Sequence, residues 1–148
     1  MNTSAPNDPP VWLITGAGSG LGRATALAAA RQGARVVVAG RSRRRLEDTA
    51  EAIADDGGVE PAVLPLNLAG ASIDNYEQVT QMLTTQFGRL DVLVHCAAQF
   101  TGLTPPHELK PTDMATIMHV NVTAPCLLTR PLLRLLAPRH SARVRNHS

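Results

Sequence analysis

The sequence predicts an α/β protein built on a doubly wound parallel sheet. Three observations lead there. Apolar runs of strand length alternate with stretches of helical spacing, in the order βαβαβαβα. The runs are apolar at nearly every position, so each strand must be covered on both faces, as in a parallel sheet. The connections are short, and no repeat or linker divides the 148 residues, a length that fits one domain with a real core.

Val11 to Thr15 is the first buried strand. An alanine-rich helix follows over 21–32, and Gly33 stops it. Arg35 to Ala39, with Val36, Val37 and Val38, is the second strand. A helix then runs from about Ser42 to Asp55, with Leu46, Ala50, Ile53 and Ala54 on one face and Gly57–Gly58 beyond its end. Ala62 to Leu66 is a third strand, weakened by Pro61 and Pro65. Ser72 caps a helix whose apolar stripe is Ile73, Tyr76, Val79, Leu83 and Phe87, and Gly88 ends it. Leu90 to Cys96 is a fourth strand. A proline-containing loop leads to a long helix, Thr112 to Leu136. Pro131 falls inside it, and an interior proline costs on the order of 3 kcal/mol if unrelieved, so a kink or an early break is expected. Residues 1–9 read as a loose tail, 10–137 as the domain and 138–148 as an irregular tail. In that last stretch Arg143, Arg145 and His147 alternate with Ala142, Val144 and Asn146, which suits a half-exposed edge strand but not a strand buried on both faces.

Composition excludes several classes. The formal charge of +2 is too small to imply a polyanion partner, and aromatics at 3% leave little for stacking on bases, so no nucleic-acid partner is expected. No apolar run reaches the roughly 18 residues of a membrane span, and the start, MNTSAPNDPP, lacks the features of a secretory signal. Cys96 and Cys126 form no CxxC pattern, which argues against a zinc site or a disulfide framework and fits a reducing, cytoplasmic compartment. His95 ends a strand with no second ligand at metal spacing, so no metal is expected.

The first strand runs into Thr15-Gly16-Ala17-Gly18-Ser19-Gly20-Leu21-Gly22. Several glycines permit a tight turn with positive φ, let the backbone approach a diphosphate, and let strand and helix pack closely. The N–H groups at the helix start then face that anion. No Gly-Lys-Ser/Thr follows, so this is not a P-loop. A dinucleotide site is the reading that a glycine turn between strand and helix supports. The second strand ends Ala39-Gly40-Arg41, with glycine where an acidic residue would bind a ribose 2′-hydroxyl. Arg41 can instead hold a 2′-phosphate by paired hydrogen bonds, which favours NADP(H) over NAD(H). Arg43, Arg44 and Arg45 read as a solvated helix face.

The TGxxxGxG pattern of Gly16, Gly20 and Gly22 resembles the short-chain dehydrogenase/reductase family, whose domain is of the Rossmann type. RLDVLVHCAA (Arg89 to Ala98) resembles the family's fourth strand, which usually ends Asn-Asn-Ala-Gly, and MHVNVTAPCLLTRPLL (Met118 to Leu133) its fifth helix. The resemblance covers about residues 10 to 137. It implies hydride transfer between a nicotinamide and a small carbonyl or alcohol substrate, and a sheet incomplete on its carboxyl-terminal side. It places cofactor contacts on Gly16, Ser19, Gly20, Leu21, Gly22, Arg41, Asn67, Leu68 and Ala97. Asn67-Leu68 stands where relatives often carry Asp-Leu or Asp-Val beside the adenine. Asn121 corresponds to the family's catalytic asparagine, and the 112–136 helix lies on a surface many relatives use for self-pairing.

The family's general acid is a tyrosine with a lysine four residues later. Here the one tyrosine is Tyr76, the residue four after it is Thr80, and the one lysine is Lys110. No Tyr-x-x-x-Lys pair exists in these residues, and Tyr76 belongs to a core-facing stripe. Loss of a general acid alone costs about 10²–10⁴-fold in rate, so the expectation is a truncated chain without efficient turnover. The alternative is a non-catalytic NADP-binding or dimerising module. A Rossmann-like methyltransferase is disfavoured, because its cofactor carries no phosphate for Arg41 to hold.

Overall fold

The computed structural model describes residues 8–136 and 143–147. Among the described residues five strands form one parallel sheet in the order β3-β2-β1-β4-β5, a doubly wound fold of the Rossmann type. The strands are β1 (Val11–Thr15), β2 (Arg35–Gly40), β3 (Ala62–Pro65), β4 (Val92–His95) and β5 (Arg143–Asn146). Helices α1 (Gly20–Arg31) and α2 (Arg43–Asp55) cover one face. Helix α3 (Ile73–Gln86) and the run α4 (Pro111–Met118), a π turn (His119–Thr123) and α5 (Ala124–Leu136) cover the other.

The all-apolar strands divide between the two layers by their twofold alternation. Leu13 of β1, Val37 of β2 and Leu93 of β4 pack with Tyr76, Leu83, Leu128 and Leu132. Ile14, Val36, Val38 and Val94 pack with Ala26 and Ala29 of α1 and Leu46 and Ile53 of α2. Tyr76 is buried in the first of these layers, as its place in the helical stripe predicts.

Local signals set the helix ends. Ser42 accepts a hydrogen bond from the Arg45 N–H at the start of α2. Ser72 and Asn75 form a reciprocal capping box at the start of α3. The single helix expected over 112–136 is instead two α segments joined through the π turn, and it does not break at Pro131. Leu128, Leu132 and Leu136, four residues apart, are all buried against the sheet. Each contributes about 1.5–3 kcal/mol, which together outweighs the cost of roughly 3 kcal/mol for an interior proline. Leu127 and Leu135 are half-buried, and Leu133 is exposed, as are Met114, Met118 and Val122 in the same run.

The stretch read as an irregular tail contains β5, paired in parallel with β4 from Val92↔Arg143 to His95↔Asn146. Its residues are exposed, so the alternating pattern marks an edge strand, with backbone pairing as its main hold. The readings made for residues 1–7, 137–142 and 148 lie outside the described residues.

One buried ion pair fixes the amino-terminal edge of the sheet. Arg89 Nε and Nη2 donate to the two carboxylate oxygens of Asp91, each at 2.7 Å, and Nη1 donates to the Asp8 carbonyl at 3.1 Å. Asp91 Oδ2 also accepts the Val11 N–H at 2.9 Å, while its backbone bonds Val11 on one side and Arg143 on the other. One residue thus ties the starts of β1, β4 and β5. Removing one partner of such a pair strands a buried charge and costs about 3–5 kcal/mol. Asp91→Ala is therefore expected to lower the urea midpoint by that equivalent, measured by circular dichroism.

Candidate functional site

The loops that follow β1, β2, β3 and β4 meet at the carboxyl edge of the sheet and enclose an open cleft of about 330 Å³. Ligands bind along that edge in open α/β sheets. The glycine turn forms its floor. Gly16 and Gly20 have φ of 64° and 53°, values that favour glycine. A Cβ on Gly16 would stand 2.6 Å from the Ala97 nitrogen, and one on Gly22 would stand 2.1 Å from the Gly16 carbonyl oxygen. Strand β1, helix α1 and the end of β4 therefore touch backbone to backbone.

Hydrogen bonds knit the turn to its surroundings. The Ala97 N–H donates to Thr15 Oγ1 at 3.2 Å. Thr49 Oγ1, on α2, donates to the Ala17 carbonyl at 2.9 Å, and the Ala17 N–H donates to the Ala39 carbonyl at 3.1 Å. Ser19 occupies the N-cap of α1, but its side chain accepts no hydrogen bond there, and no acidic residue stands in the first turn. The start of α1 thus presents N–H groups and partial positive charge to the cleft.

Every residue singled out as a cofactor contact lines this cleft: Gly16, Ser19, Gly20, Leu21 and Gly22 from the first bend, Arg41 after β2, Asn67 and Leu68 after β3, and Ala97 after β4. Arg41 is exposed on the rim beyond Gly40. The solvated-face reading holds for Arg43, which pairs with Glu47 at 3.5 Å, and for exposed Arg44. Arg45 is exposed as well and also lines the cleft, with its Cβ beside the position a Gly18 Cβ would take.

Asn121 sits in the π turn, behind the cleft wall. Its Oδ1 accepts the Gln99 N–H at 2.8 Å and its Nδ2 donates to the Gln99 carbonyl at 2.9 Å. Gln99 lines the cleft, so Asn121 holds the loop after β4 in place. Pro125, just inside α5, has no N–H to return to the Asn121 carbonyl.

Three other polar groups are accounted for. Tyr76 has a buried hydroxyl without a partner among the described residues, and burial pushes its pKa up. Cys96 is half-buried on the cleft side of β4, and its thiol is pushed up by burial, an effect a hydrogen bond to Thr25 opposes. His95 is buried; its Nε2 lies 2.9 Å from Thr129 Oγ1, and its Nδ1 has no partner among the described residues. No group of three or more His, Cys, Asp or Glu suited to a metal occurs among the described residues. No helix among them is long and apolar enough to cross a membrane.

This arrangement of bend, sheet and cleft defines a nucleotide-binding α/β fold, and comparison narrows it further. The sequence pattern of the short chain dehydrogenase family matches residues 10–148. The chain belongs to that family. It is 36% identical to the uncharacterized oxidoreductase YciK of Escherichia coli K12 over 85% of this chain and 50% of the relative. It is 35% identical to a 3-oxoacyl-[acyl-carrier-protein] reductase of Synechocystis over 92% of this chain and 54% of the relative. A short chain dehydrogenase structure from Salmonella enterica superposes with a TM-score of 0.88 at 34% identity, covering 92% of this chain and 56% of that one. A Shigella flexneri structure complexed with NADP superposes at 0.89 with 31% identity, covering 93% and 57%. The chain spans about half the length of the curated relatives it matches.

Two outcomes follow from this geometry. Gly22→Ala would drive a methyl group into the Gly16 carbonyl. The expected result is loss of the cooperative thermal transition or of nucleotide binding, read by calorimetry. His95 supplies a pH dependence. Burial lowers its pKa below the ordinary 6.5, so the unfolded chain takes up a proton that the folded chain resists. Its contribution is undiminished above about 6.5 and turns destabilising as pH falls from there toward the folded value. Thermal melts between pH 5 and 8 should show this slope, and His95→Gln should flatten it.

Proposed function

We propose that this chain binds NADP(H) in the cleft at the carboxyl edge, as the nucleotide-binding part of an oxidoreductase acting on a carbonyl or alcohol. The observation that carries the reading is the pairing of an uncapped α1 start, which suits a diphosphate, with Arg41 at the end of β2 and no carboxylate beside it. A carboxylate there would repel a 2′-phosphate, and Gly40 offers none. Arg45, on the same rim, adds a second positive charge to that end of the cleft. The NADP complex of the Shigella flexneri structure supports the same choice.

A second reading, binding without turnover, draws on Tyr76. The one tyrosine lies on α3 with its side chain in the core, and the one lysine, Lys110, is the N-cap of α4. Neither can serve as the acid pair of the family's chemistry. As these 148 residues, the chain therefore holds nucleotide and reduces carbonyls poorly or not at all.

Titration of the purified chain with NADPH and with NADH tests both statements. NADPH should bind the more tightly. Arg41→Ala should weaken NADPH by about 10- to 100-fold, the worth of a charged hydrogen-bonded contact, and leave NADH nearly unchanged. A carbonyl-reduction assay on the same sample should show no efficient turnover. Equal affinity for the two nucleotides, unaltered in the variant, would remove the case for a 2′-phosphate site.

A further inference from the structure

His95 ends β4 where the chain runs on into one wall of the cleft, Cys96 to Gln99. Side chains pin that wall from behind. Asn121 holds Gln99, Thr15 holds Ala97, and at the root of the segment the His95 ring meets Thr129. Asn121 and Thr129 belong to one continuous helical run, the π turn and α5. His95 and Asn121 therefore join the same wall to the same run at two points.

Geometry places the hydrogens. Thr129 Oγ1 donates to the Pro125 carbonyl at 2.7 Å. Its oxygen is then free to accept, so His95 Nε2, 2.9 Å away, carries the ring hydrogen. The reverse arrangement would leave an N–H at Nδ1 with no acceptor, a rarer state in a protein interior than a spare lone pair. Nδ1 is thus a bare lone pair, buried and without a partner among the described residues. It is also the atom that takes up a proton in acid.

No carboxylate stands ready for the resulting cation. Strands β1 and β5 flank β4, and α5 packs over it. β1 carries no titratable side chain. β5 brings Arg143 and Arg145, with His147 just beyond, all exposed and, by strand alternation, on the face away from Asn146 and His95. α5 brings Cys126, Arg130 and Arg134, all exposed, and the π turn brings His119. In the same layer α3 brings exposed Asp74, Tyr76, which burial keeps neutral, and exposed Glu77, paired with Arg134 at 2.7 Å. A charged ring without a partner is less costly in water than inside the layer.

We propose that His95 is a proton-operated clasp on the cleft wall. Neutral, it docks the first turns of α5 through Thr129 and holds Cys96 to Gln99 in place. Protonated, the ring leaves the layer for water, the Thr129 bond breaks, and the wall loosens together with the π turn behind it. Loss of a ligand in acid follows from this, and that consequence rests on the nucleotide reading given above.

Hydrogen exchange read by NMR on the whole chain, without ligand, tests the clasp between pH 8 and 5. Neutral His95 should show its hydrogen on Nε2. Below about 6.5, as the ring charges, protection of the Gln99 and Thr129 amides, corrected for the intrinsic rate, should fall by up to about tenfold per pH unit, the linkage of one proton. Leu13, in the central strand, should keep its protection. His95→Gln retains an N–H donor and gains no proton, so its protection should stay level. The same two chains are then titrated with NADP, whose 2′-phosphate also takes up a proton near about pH 6. The ratio of wild-type to variant affinity cancels that effect and should fall in acid. Constant protection while the ring titrates would overturn the clasp, and that measurement needs no variant. So would a neutral hydrogen on Nδ1, an equal loss of protection at Leu13, or a ratio independent of pH. If neither chain binds NADP, the nucleotide reading fails and the exchange result alone decides the clasp.

Discussion

The structure depends on a contact that no side chain makes. At the first bend the backbone of α1 lies on the backbone of the turn, and the turn lies on the end of β4. Gly22 faces the Gly16 carbonyl, and Gly16 faces the Ala97 nitrogen, at separations that a methyl group would close entirely. This brings the positive end of α1 to the edge of the sheet, where a cleft can use it. The cleft is therefore a product of close packing before it is a feature of binding. Thr15 and Thr49 then fix the turn from two sides, through β4 and through α2.

Strand β1 is held at both ends by different chemistry. The Val11 N–H at its start donates to the buried carboxylate of Asp91, itself paired with Arg89, and its end meets the loop after β4 through Thr15 and Ala97. Being central in the order β3-β2-β1-β4-β5, it separates the two halves of the cleft. On one side lie Arg41 and Asn67, after β2 and β3. On the other lie Ala97 and Gln99, after β4. The first half is charged and polar, and the second combines Ala97 and Ala98 with Cys96 and Gln99.

Much of this was legible because it rests on local rules. Apolar runs, glycine stops and the serine cap at Ser72 place the elements within a residue or two. The glycine turn locates the cleft, because spacing alone fixes which residues precede a helix. What was not legible depends on distant partners. Arg45 differs from Arg44 only in the phase of α2 against Gly18. The edge strand β5 shows its alternation in sequence, but its pairing with β4 does not follow from alternation. Helix α5 survives Pro131 because three leucines find the sheet, and a proline penalty counted alone cannot show that. His95 reads as the end of a strand; that it is buried against Thr129 belongs to the docking of α5.

Asn121 joins the π turn to the loop after β4. Its sequence context resembles that of the family's catalytic asparagine, and its side-chain amide makes one hydrogen bond through each polar atom to the Gln99 backbone. Its backbone carbonyl, which Pro125 has no N–H to reach, is a separate group from that amide. Its contribution here is to shape the wall that Gln99 presents to the cleft. The π turn around it aligns with that task, since an extra residue in the turn re-aims a side chain without ending the helix. Nucleotide grip and proton transfer therefore make separate demands on this fold. The residues lining the cleft are distributed over the loops after β1 to β4, which the two packed layers of the sheet hold together. The second requires a titratable group at the reacting carbon, and Tyr76, the sole tyrosine, is committed to the interior.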